Sequence, residues 1–267
     1  MPNSISHLQL NTFHLNQPHK VIDFFQTQKI DIATLQEINV PIDNKEFFLN
    51  MCQQAGLHYA QSISWFDVDH NQAFGNGILS RHPIVDFNCT YYNGDNFNPK
   101  KIKNNDMIGP MLANDYKENI TGSRGIKYSI ISSSILQSII KIDDKYLKVI
   151  TTHYPVSDNC IEINSMYDLS QMIKSLVTYS GNLPIIFAGD LNIRAQSYSV
   201  RSLNEVLDCH TSQTTNTLSN KHPARTKDYP EGLAVDHIFS RGLKHQKTTT
   251  HQIDFSDHQA LISNFTF

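Results

Sequence analysis

The chain has 267 residues, of which 39% are hydrophobic and 18% are charged, so it has enough apolar material for a core and is not globally disordered. Its formal net charge of −3 gives no strong field for a polyanion. This disfavours a tight, non-specific nucleic-acid binder, but not a nuclease whose bound cation adds local positive charge. No linker divides the chain, so we expect one domain over residues 1–267 that acts as a monomer.

The four cysteines lie far apart and form no pair with the spacing of metal ligands. The first residues lack the basic and apolar blocks of a signal peptide, and no apolar run approaches the roughly 18 residues that span a bilayer. We therefore expect free thiols and a cytoplasmic protein with no transmembrane segment. A protein exported without a signal peptide would have the same features.

Strands and helices alternate in the first third of the chain. Apolar residues recur at every second position in the strands and at helical spacing in the helices, with Pro18 at one helix start and Gly56 after the end of the next. The pattern predicts strands over residues 8–13, 30–37, 59–65 and 77–80, and helices over residues 18–28 and 45–55.

Two polar side chains stand near the ends of the first two predicted strands. Asn11 either belongs to a site or caps a turn. Glu37 follows a mostly apolar run, and on this segment alone a solvent-facing carboxylate is the favoured interpretation. The alternative is a ligand for a hard cation.

Residues 93–123 form an irregular insertion. Asn, Asp, Lys and Gly dominate there, and no period is visible. A segment of this length without secondary structure is uncommon inside a compact domain. It either borders the substrate or is a plain surface loop.

The middle of the chain predicts a β-hairpin followed by a helix. Residues 125–142 and 146–152 read as its two strands, and the second strand runs into His153. Apolar residues then repeat at helical spacing between Met166 and Val177 and belong to the core. A short helix is predicted near residues 200–207.

The most informative stretch is the strand over residues 183–188 and the Gly-Asp-Leu-Asn sequence that follows it. Side chains two residues apart at a strand end point the same way, so Asp190 and Asn192 can reach into one cleft. A carboxylate beside a carboxamide can orient a water and donate to a charged oxygen, which suits hydrolysis of a phosphate ester. Taken alone, the Gly-Asp-Leu-Asn tetrapeptide is equally consistent with an ordinary turn at a strand end.

Two more polar signals follow downstream. Asp236 lies inside an apolar strand predicted over residues 233–239, and Asp257 and His258 precede the last apolar run. Asp236 could be a strand carboxylate that a neighbouring donor satisfies, and Asp257 with His258 could cap a turn. In a layered α/β fold, strand ends gather at one edge of the sheet. All these polar groups could therefore lie close together there, and their oxygen atoms could bind Mg²⁺ or Mn²⁺.

At this point the sequence resembles the endonuclease/exonuclease/phosphatase superfamily, which includes deoxyribonuclease I, abasic-site endonucleases, inositol polyphosphate 5-phosphatases and neutral sphingomyelinases. The resemblance covers nearly the whole chain, in order. Its segments are Leu-Asn-Thr-Phe ending at Phe13, Leu-Gln-Glu ending at Glu37, residues 75–84, Thr152-His153, residues 189–192, residues 235–238 and residues 256–258.

The resemblance implies a fold of the α/β (α+β) class, a four-layer sandwich of two packed, mainly antiparallel β-sheets flanked by helices. It also implies a metal-dependent phosphoric ester hydrolase whose site residues fall into three groups. Glu37, Asn11 and Asp257 would bind Mg²⁺ or Mn²⁺; His153, Asp190, Asn192, Asp236 and His258 would be catalytic; and Arg124, with Asn11, would contact the substrate. His14, His19, His70, His82 and His237 have no matching role and are interpreted as structural or surface residues.

The Thr152-His153 sequence separates branches of this superfamily. Abasic-site endonucleases have Pro-Asn at this place, whereas the deoxyribonuclease I and sphingomyelinase branches carry Thr-His. Residues 233–237 also depart from the Trp-Cys-Asp core of the 5-phosphatases. Residues 75–80 are most similar to the sphingomyelinase-like and general bacterial phosphodiesterase branches.

Three functions remain open on the sequence. The first is a Mg²⁺-dependent phosphodiesterase or phosphatase acting on a small or lipid-linked phosphoester. The second is a non-specific nuclease, which would need a strip of Lys and Arg across its cleft. The third is an inert binding module on the same fold, which is disfavoured because every expected polar position is kept.

Overall fold

The computed structural model describes residues 4–44, 46–67, 71–92, 101–103, 120–121, 127–130, 133–157, 160–224 and 229–267. Within these residues, two β-sheets face each other and helices cover their outer faces. The predicted fold class, a sandwich of two mainly antiparallel sheets flanked by helices, is confirmed.

The strands and helices have the following bounds. The helices are α1 (Pro18–Thr27), α2 (Phe47–Gln54), α3 (Asn164–Thr178) and α4 (Tyr198–Leu203). The strands are β1 (Ser4–Asn11), β2 (Ile32–Pro41), β3 (His58–Gln61), β4 (Trp65–Asp67), β5 (Gln72–Ser80), β6 (Ile84–Tyr92), β7 (Lys101–Lys103), β8 (Ile120–Thr121), β9 (Lys127–Ile130), β10 (Ser133–Ile142), β11 (Lys145–His153), β12 (Ile185–Asp190), β13 (Asp208–Cys209), β14 (Asp236–Arg241), β15 (Lys244–His251) and β16 (Ala260–Thr266).

Each sheet contains one parallel pair of strands among the described residues. The first sheet has the order β15-β16-β1-β2-β5-β4-β9-β8, with β3 also paired to β5. The second has the order β13-β14-β12-β11-β10-β6-β7. The parallel pairs are β1 with β2 and β11 with β12. The contact between Asn11 and Asp190 shows that the carboxyl ends of β1 and β12 lie at the same end of the sandwich.

Two-residue alternation divides each central strand between two cores. In β1, Leu8 and Leu10 pack with α1 and α2, whereas Ile5 packs against the second sheet. In β12, Phe187 packs on the α3 side, whereas Ile186 and Ala188 face the first sheet. The same alternation sends the polar residues near these strand ends into the space between the sheets.

One glycine is required where β12 lies close to β11. A Cβ atom on Gly189 would come within 2.2 Å of the Thr152 carbonyl oxygen. Glycine therefore permits the close parallel pairing that sets His153 beside Asp190.

Three sequence predictions need correction. The strand that contains Glu37 does not end there but continues to Pro41, with a register shift between Leu35 and Ile38. Asp236 begins β14 and does not lie at the centre of a strand. The predicted strand over residues 125–142 is two strands in different sheets, because β9 pairs with β4 while β10 pairs with β11 and β6.

Other expectations fall partly outside the described residues. Of the insertion predicted at residues 93–123, the structure describes only β7 and β8, so its role stays a prediction, as does the single-domain organisation. All four cysteines are free, as expected. None of the described helices combines the length and the apolar character that crossing a membrane requires.

His7 makes stability depend on pH. This residue is fully buried between the sheets, and burial lowers the pKa of its imidazole to about 3. The unfolded chain therefore binds a proton below about pH 6.5 that the folded protein does not, so stability falls as the pH falls through this window.

We expect the His7→Gln variant to lose about 2 kcal/mol less unfolding free energy than the parent protein between pH 7.5 and pH 5. The difference is measured by urea denaturation at both pH values. Equal losses in the two proteins would contradict this prediction.

Candidate active site

A cavity of about 230 Å³ opens at the end of the space between the two sheets. Its polar lining residues form what we call the polar wall, and its apolar lining residues include the packed cluster of Leu218, Leu233 and Val235. The polar lining residues are His14, Glu37, His153, Ser157, Asp190, Asn192, His222, Asp257 and His258. The others are Phe13, Val156, Cys160, Leu218, Ala224, Tyr229, Leu233 and Val235.

Asp190 is the central carboxylate of the polar wall. It is 1% exposed and lies opposite His153 on β11 and Asp236 on β14. The side-chain amide of Asn11 donates to Asp190 Oδ2 at 3.0 Å. The Nε2 atoms of His153 and His258 lie 3.5 and 3.7 Å from the same oxygen.

Asp236 and His258 form a buried carboxylate–imidazole pair. His258 Nδ1 lies 2.8 Å from Asp236 Oδ2. Burial opposes the charge on His258, but the carboxylates of Asp236, Asp190 and Asp257 outweigh it and raise the pKa of the imidazole to about 10. Burial also raises the pKa of Asp236, but the charge and hydrogen bond of His258 reverse this and hold it below its usual value. The pair is therefore ionic at neutral pH.

A buried amide network supports the second oxygen of Asp236. Gln9 Nε2 donates to Asp236 Oδ1 at 3.3 Å and also to Gln36 Oε1. Gln9 Oε1 accepts from Thr34 Oγ1 at 2.8 Å, and Gln36 Nε2 donates to Thr151 Oγ1 at 2.9 Å. The network crosses from the first sheet to the second and fixes the orientation of the Gln9 amide.

Glu37 reaches the cavity because its strand is distorted. The bulge between Leu35 and Ile38 leaves Glu37 with a φ of 54°, which is rare for a residue other than glycine. Its Oε1 accepts a hydrogen bond of 3.0 Å from Asn11 Nδ2, the same group that donates to Asp190. Asn11 therefore links the Glu37 and Asp190 carboxylates.

The donors around Glu37 and Asp257 suit a hard divalent cation. Burial raises the pKa of Asp257, the charges of His258 and His222 oppose this rise, and the charge of Glu37 adds to it. Two carboxylates thus repel each other across one cavity that is partly open to solvent. Oxygen donors with uncompensated negative charge are the ligands that Mg²⁺ and Mn²⁺ prefer, so the residues present fit the expected cation.

Asp190, Asp236 and His258 also have donor atoms within 4.8 Å of one another. This spacing alone would admit a metal. However, both Asp236 oxygens and the Nδ1 atom of His258 are already used in hydrogen bonds, and Asp236 is fully buried. We therefore interpret this cluster as a hydrogen-bonded unit beside the cation site.

The arrangement of Asn192 differs from the sequence expectation. Its Nδ2 donates to the Tyr154 carbonyl at 2.9 Å and lies 3.0 Å from His153 Nε2. Both amide N–H bonds are thereby used, and the carbonyl fixes the orientation of the amide. Donation from Asn192 to a substrate oxygen would require its side chain to rotate.

Arg124, the predicted phosphate contact, lies outside the described residues, so this assignment stays a prediction. None of the described cavity-lining residues is Lys or Arg. His258, whose pKa is raised to about 10, supplies a positive charge on the polar wall itself.

Two histidines of the cavity were not assigned from the sequence. His14 was interpreted as structural or surface, but its Nδ1 lies 3.4 Å from Glu37 Oε2. His222 Nε2 lies 3.8 Å from Asp257 Oδ2, and its ring meets the His258 ring edge-on. No periodic pattern marks either residue. In contrast, His237 has a structural role as interpreted, since it is buried and bonded to the Ile193 carbonyl.

Comparisons with known proteins agree with this architecture. The model of the endonuclease/exonuclease/phosphatase family matches residues 8–258. A UPF0294 protein of Vibrio campbellii is 34% identical over 98 residues, which cover 37% of this chain and 32% of that protein. The alignment thus spans about a third of the curated relative.

Solved structures resemble the chain over nearly its full length. An endonuclease/exonuclease/phosphatase from Beutenbergia cavernae has a TM-score of 0.71 at 14% identity, covering 98% of this chain and 71% of that one. TDP2 of D. rerio in complex with a single-strand DNA product has a TM-score of 0.66 at 11% identity, with coverage of 99% and 100%. The human nocturnin catalytic domain with bound sulfate has a TM-score of 0.65 at 15% identity, covering 100% and 94%. At these identities the likeness establishes the fold alone.

The Gln9 network generates a stability prediction. We expect Gln9→Leu to lower the unfolding free energy by about 1–3 kcal/mol, because Asp236 loses a buried donor. Gln9→Glu should lower it further, since it sets a second carboxylate beside Asp236. Urea denaturation measures both.

Gln137→Leu is the matched control. Gln137 is also buried, but it donates to the neutral Asn88 at 2.9 Å, so its loss should cost less than that of Gln9. A Gln9→Glu variant as stable as Gln9→Leu would contradict the assigned network.

Proposed function

Because the chain belongs to the endonuclease/exonuclease/phosphatase family, whose members hydrolyse phosphoester bonds, we propose that it hydrolyses a small or lipid-linked phosphoester with the aid of Mg²⁺ or Mn²⁺. The observation that carries this proposal is the convergence on Asp190. One carboxylate oxygen is approached at once by Asn11, His153 and His258, beside a cavity that also exposes Glu37 and Asp257.

Glu37 and Asp257 are the proposed cation ligands, with Asn11 beside them. The cation, when bound, polarises the phosphoryl oxygens and offsets charge on the ester. Asn11 orients both Glu37 and Asp190 through its amide hydrogens. Glu37 is thereby held in place by a neighbour and does not depend on its strained backbone alone.

Asp190 orients the attacking water and accepts its proton. A carboxylate that is 1% exposed and held by Asn11 has little freedom to move, which suits this role. His258 carries a positive charge at neutral pH because Asp236 lies against its other ring nitrogen. This fixed charge stabilises the negative charge that develops on the phosphoryl oxygens during attack.

His153 is the group proposed to assist the leaving oxygen. Its ring lies at the cavity wall beside Asp190, and Asn192 holds it at 3.0 Å. In this arrangement Asn192 positions His153 and does not contact the ester directly.

The composition of the cavity favours a small substrate over a polynucleotide. Leu218, Leu233 and Val235 form an apolar cluster in the cavity lining, and no Lys or Arg lines the described part of the cavity. A nuclease of the deoxyribonuclease I type is the second candidate. It is supported by the similarity to TDP2 of D. rerio, one structure of which holds a single-strand DNA product.

An inert binding module is the third candidate. It is disfavoured because Asn11, Glu37, Asp190, Asp236 and His258 are all present and connected by contacts.

Substitutions in the site should separate catalysis from folding. We expect Glu37→Gln, Asp257→Asn and His258→Ala each to lower turnover of bis-p-nitrophenyl phosphate with Mg²⁺ or Mn²⁺ by orders of magnitude, with the circular dichroism of the folded protein unchanged. His258→Ala should also lower the unfolding free energy, because it leaves the buried Asp236 carboxylate unpaired. The matched control is Asp254→Asn, because Asp254 is an exposed aspartate paired with Lys20. Near-normal activity in the His258→Ala protein would contradict the assigned role.

Salt dependence should separate the two enzyme candidates. If the protein is a phosphodiesterase that acts on small substrates, its kcat/KM for bis-p-nitrophenyl phosphate should change little between about 50 and 200 mM salt. This kcat/KM should also exceed the values for plasmid DNA and RNA. A nuclease would instead cleave plasmid fastest and lose activity steeply over this range. Sphingomyelin and phosphoinositides complete the panel, with a chelator as the blank.

A further inference from the structure

His14 lies in a backbone turn that folded chains rarely adopt. Phe13, His14 and Leu15 have φ values of 50°, 61° and 49°, so three consecutive residues other than glycine are left-handed. This conformation costs roughly 1–2 kcal/mol for each such residue. Strained backbone clusters at active and ligand-binding sites, so this segment beside the cavity is a candidate for a functional role.

The turn is held by specific contacts. Phe13 N donates to Asn11 Oδ1 at 3.0 Å, and Leu15 N donates to Thr12 Oγ1 at 3.2 Å. The Leu15 side chain is buried in the core, and the His14 ring packs edge-on against Phe74 with centroids 5.3 Å apart. These contacts fix the imidazole relative to the sheet.

The turn directs one ring nitrogen at Glu37. His14 Nδ1 lies 3.4 Å from Glu37 Oε2 and has no hydrogen-bond partner among the described residues. The nitrogen atom itself is shielded from solvent, although 43% of the His14 side chain is exposed. Glu37 has a strained backbone as well, with a φ of 54°. Two strained segments therefore bring a carboxylate oxygen close to a nitrogen that makes no hydrogen bond within the described residues.

We propose that His14 Nδ1 is a ligand of the same cation as Glu37, and that the mixed nitrogen and oxygen donors select a first-row transition ion such as Mn²⁺ over Mg²⁺. The inference rests on the proposed function for the existence of that cation. Mg²⁺ strongly prefers oxygen ligands, whereas imidazole binds transition ions. A nitrogen ligand would thus set the metal preference of this chain.

The competing interpretation is a simple hydrogen bond from His14 to Glu37. The separation of 3.4 Å exceeds the usual 2.7–3.2 Å range of N–H···O bonds, and the geometry does not satisfy one. His222 is a weaker ligand candidate, because its Nδ1 accepts from Ala224 N at 3.2 Å. In a neutral ring this places the proton on Nε2, which faces Asp257.

The test uses the full chain loaded with Mn²⁺ alone. Electron spin echo envelope modulation of the bound ion detects a directly coordinated histidine nitrogen without any turnover. We expect the parent protein to show this ¹⁴N coupling and His14→Asn to lose it, since asparagine tolerates left-handed backbone but has no imidazole. His222→Asn is the matched control and should keep the coupling.

Calorimetry gives a second measurement. His14→Asn should weaken Mn²⁺ binding by about tenfold or more, as expected for loss of a ligand, and should change Mg²⁺ binding far less. If His14→Asn does not fold by circular dichroism, His14→Gln takes its place in both measurements.

The outcomes separate this inference from the proposed function. If the parent protein binds neither Mn²⁺ nor Mg²⁺, both the proposed function and the ligand assignment are overturned. Bound Mn²⁺ without ¹⁴N coupling, or coupling that persists in both His14 variants, would overturn the ligand assignment alone. Loss of coupling in His222→Asn with retention in His14→Asn would assign the nitrogen to His222 and also overturn it.

Discussion

The buried ion pair of Asp236 and His258 is the interaction on which the site depends. Asp236 begins a strand of the second sheet, and His258 precedes the last strand of the first sheet, so their contact of 2.8 Å joins the two layers at the cavity. Removing either partner would leave an unpaired charge in the interior, which is far more costly than the pair itself. Gln9 supports the remaining carboxylate oxygen, and the positive ring in turn faces Asp190. The contacts between the two sheets therefore set the orientation of the side chains on the polar wall.

Backbone strain is concentrated around the same cavity. Phe13, His14, Glu37, Cys160 and Asn192 all line it and all have positive φ values without being glycine. Each such residue costs of order 1–3 kcal/mol, and it persists only where its surroundings determine it. Here the surroundings are hydrogen bonds to Asn11, Thr12 and Tyr154, together with the buried side chain of Leu15. The protein is thus less stable than it would be with relaxed backbone, and in return side chains reach the cavity at positions that regular strands would not provide.

Two kinds of side chain line the cavity. The polar wall brings together carboxylates and imidazoles, which are suited to a cation and a phosphoryl group, whereas the cluster of Leu218, Leu233 and Val235 offers an apolar surface for an uncharged group. A cavity of about 230 Å³ is somewhat larger than an engineered cavity of roughly 150 Å³ that holds benzene. The described part of the cavity is therefore large enough for the small phosphoester that we propose as the substrate.

The sequence by itself determined the family, the fold class and most of the polar residues that meet at the cavity. These depend on local features, namely two-residue alternation in strands, helical spacing, and short motifs such as Gly-Asp-Leu-Asn, and the family match confirms the resemblance. Only the tertiary structure decided that β2 continues past Glu37 through a bulge, that β9 leaves the hairpin for the other sheet, and that His14 and His222 reach the cavity. A bulge is set by the register of the neighbouring strand, and a left-handed turn is stabilised by contacts with distant residues. Neither leaves a periodic trace in the chain, because the causes lie in segments far apart in sequence.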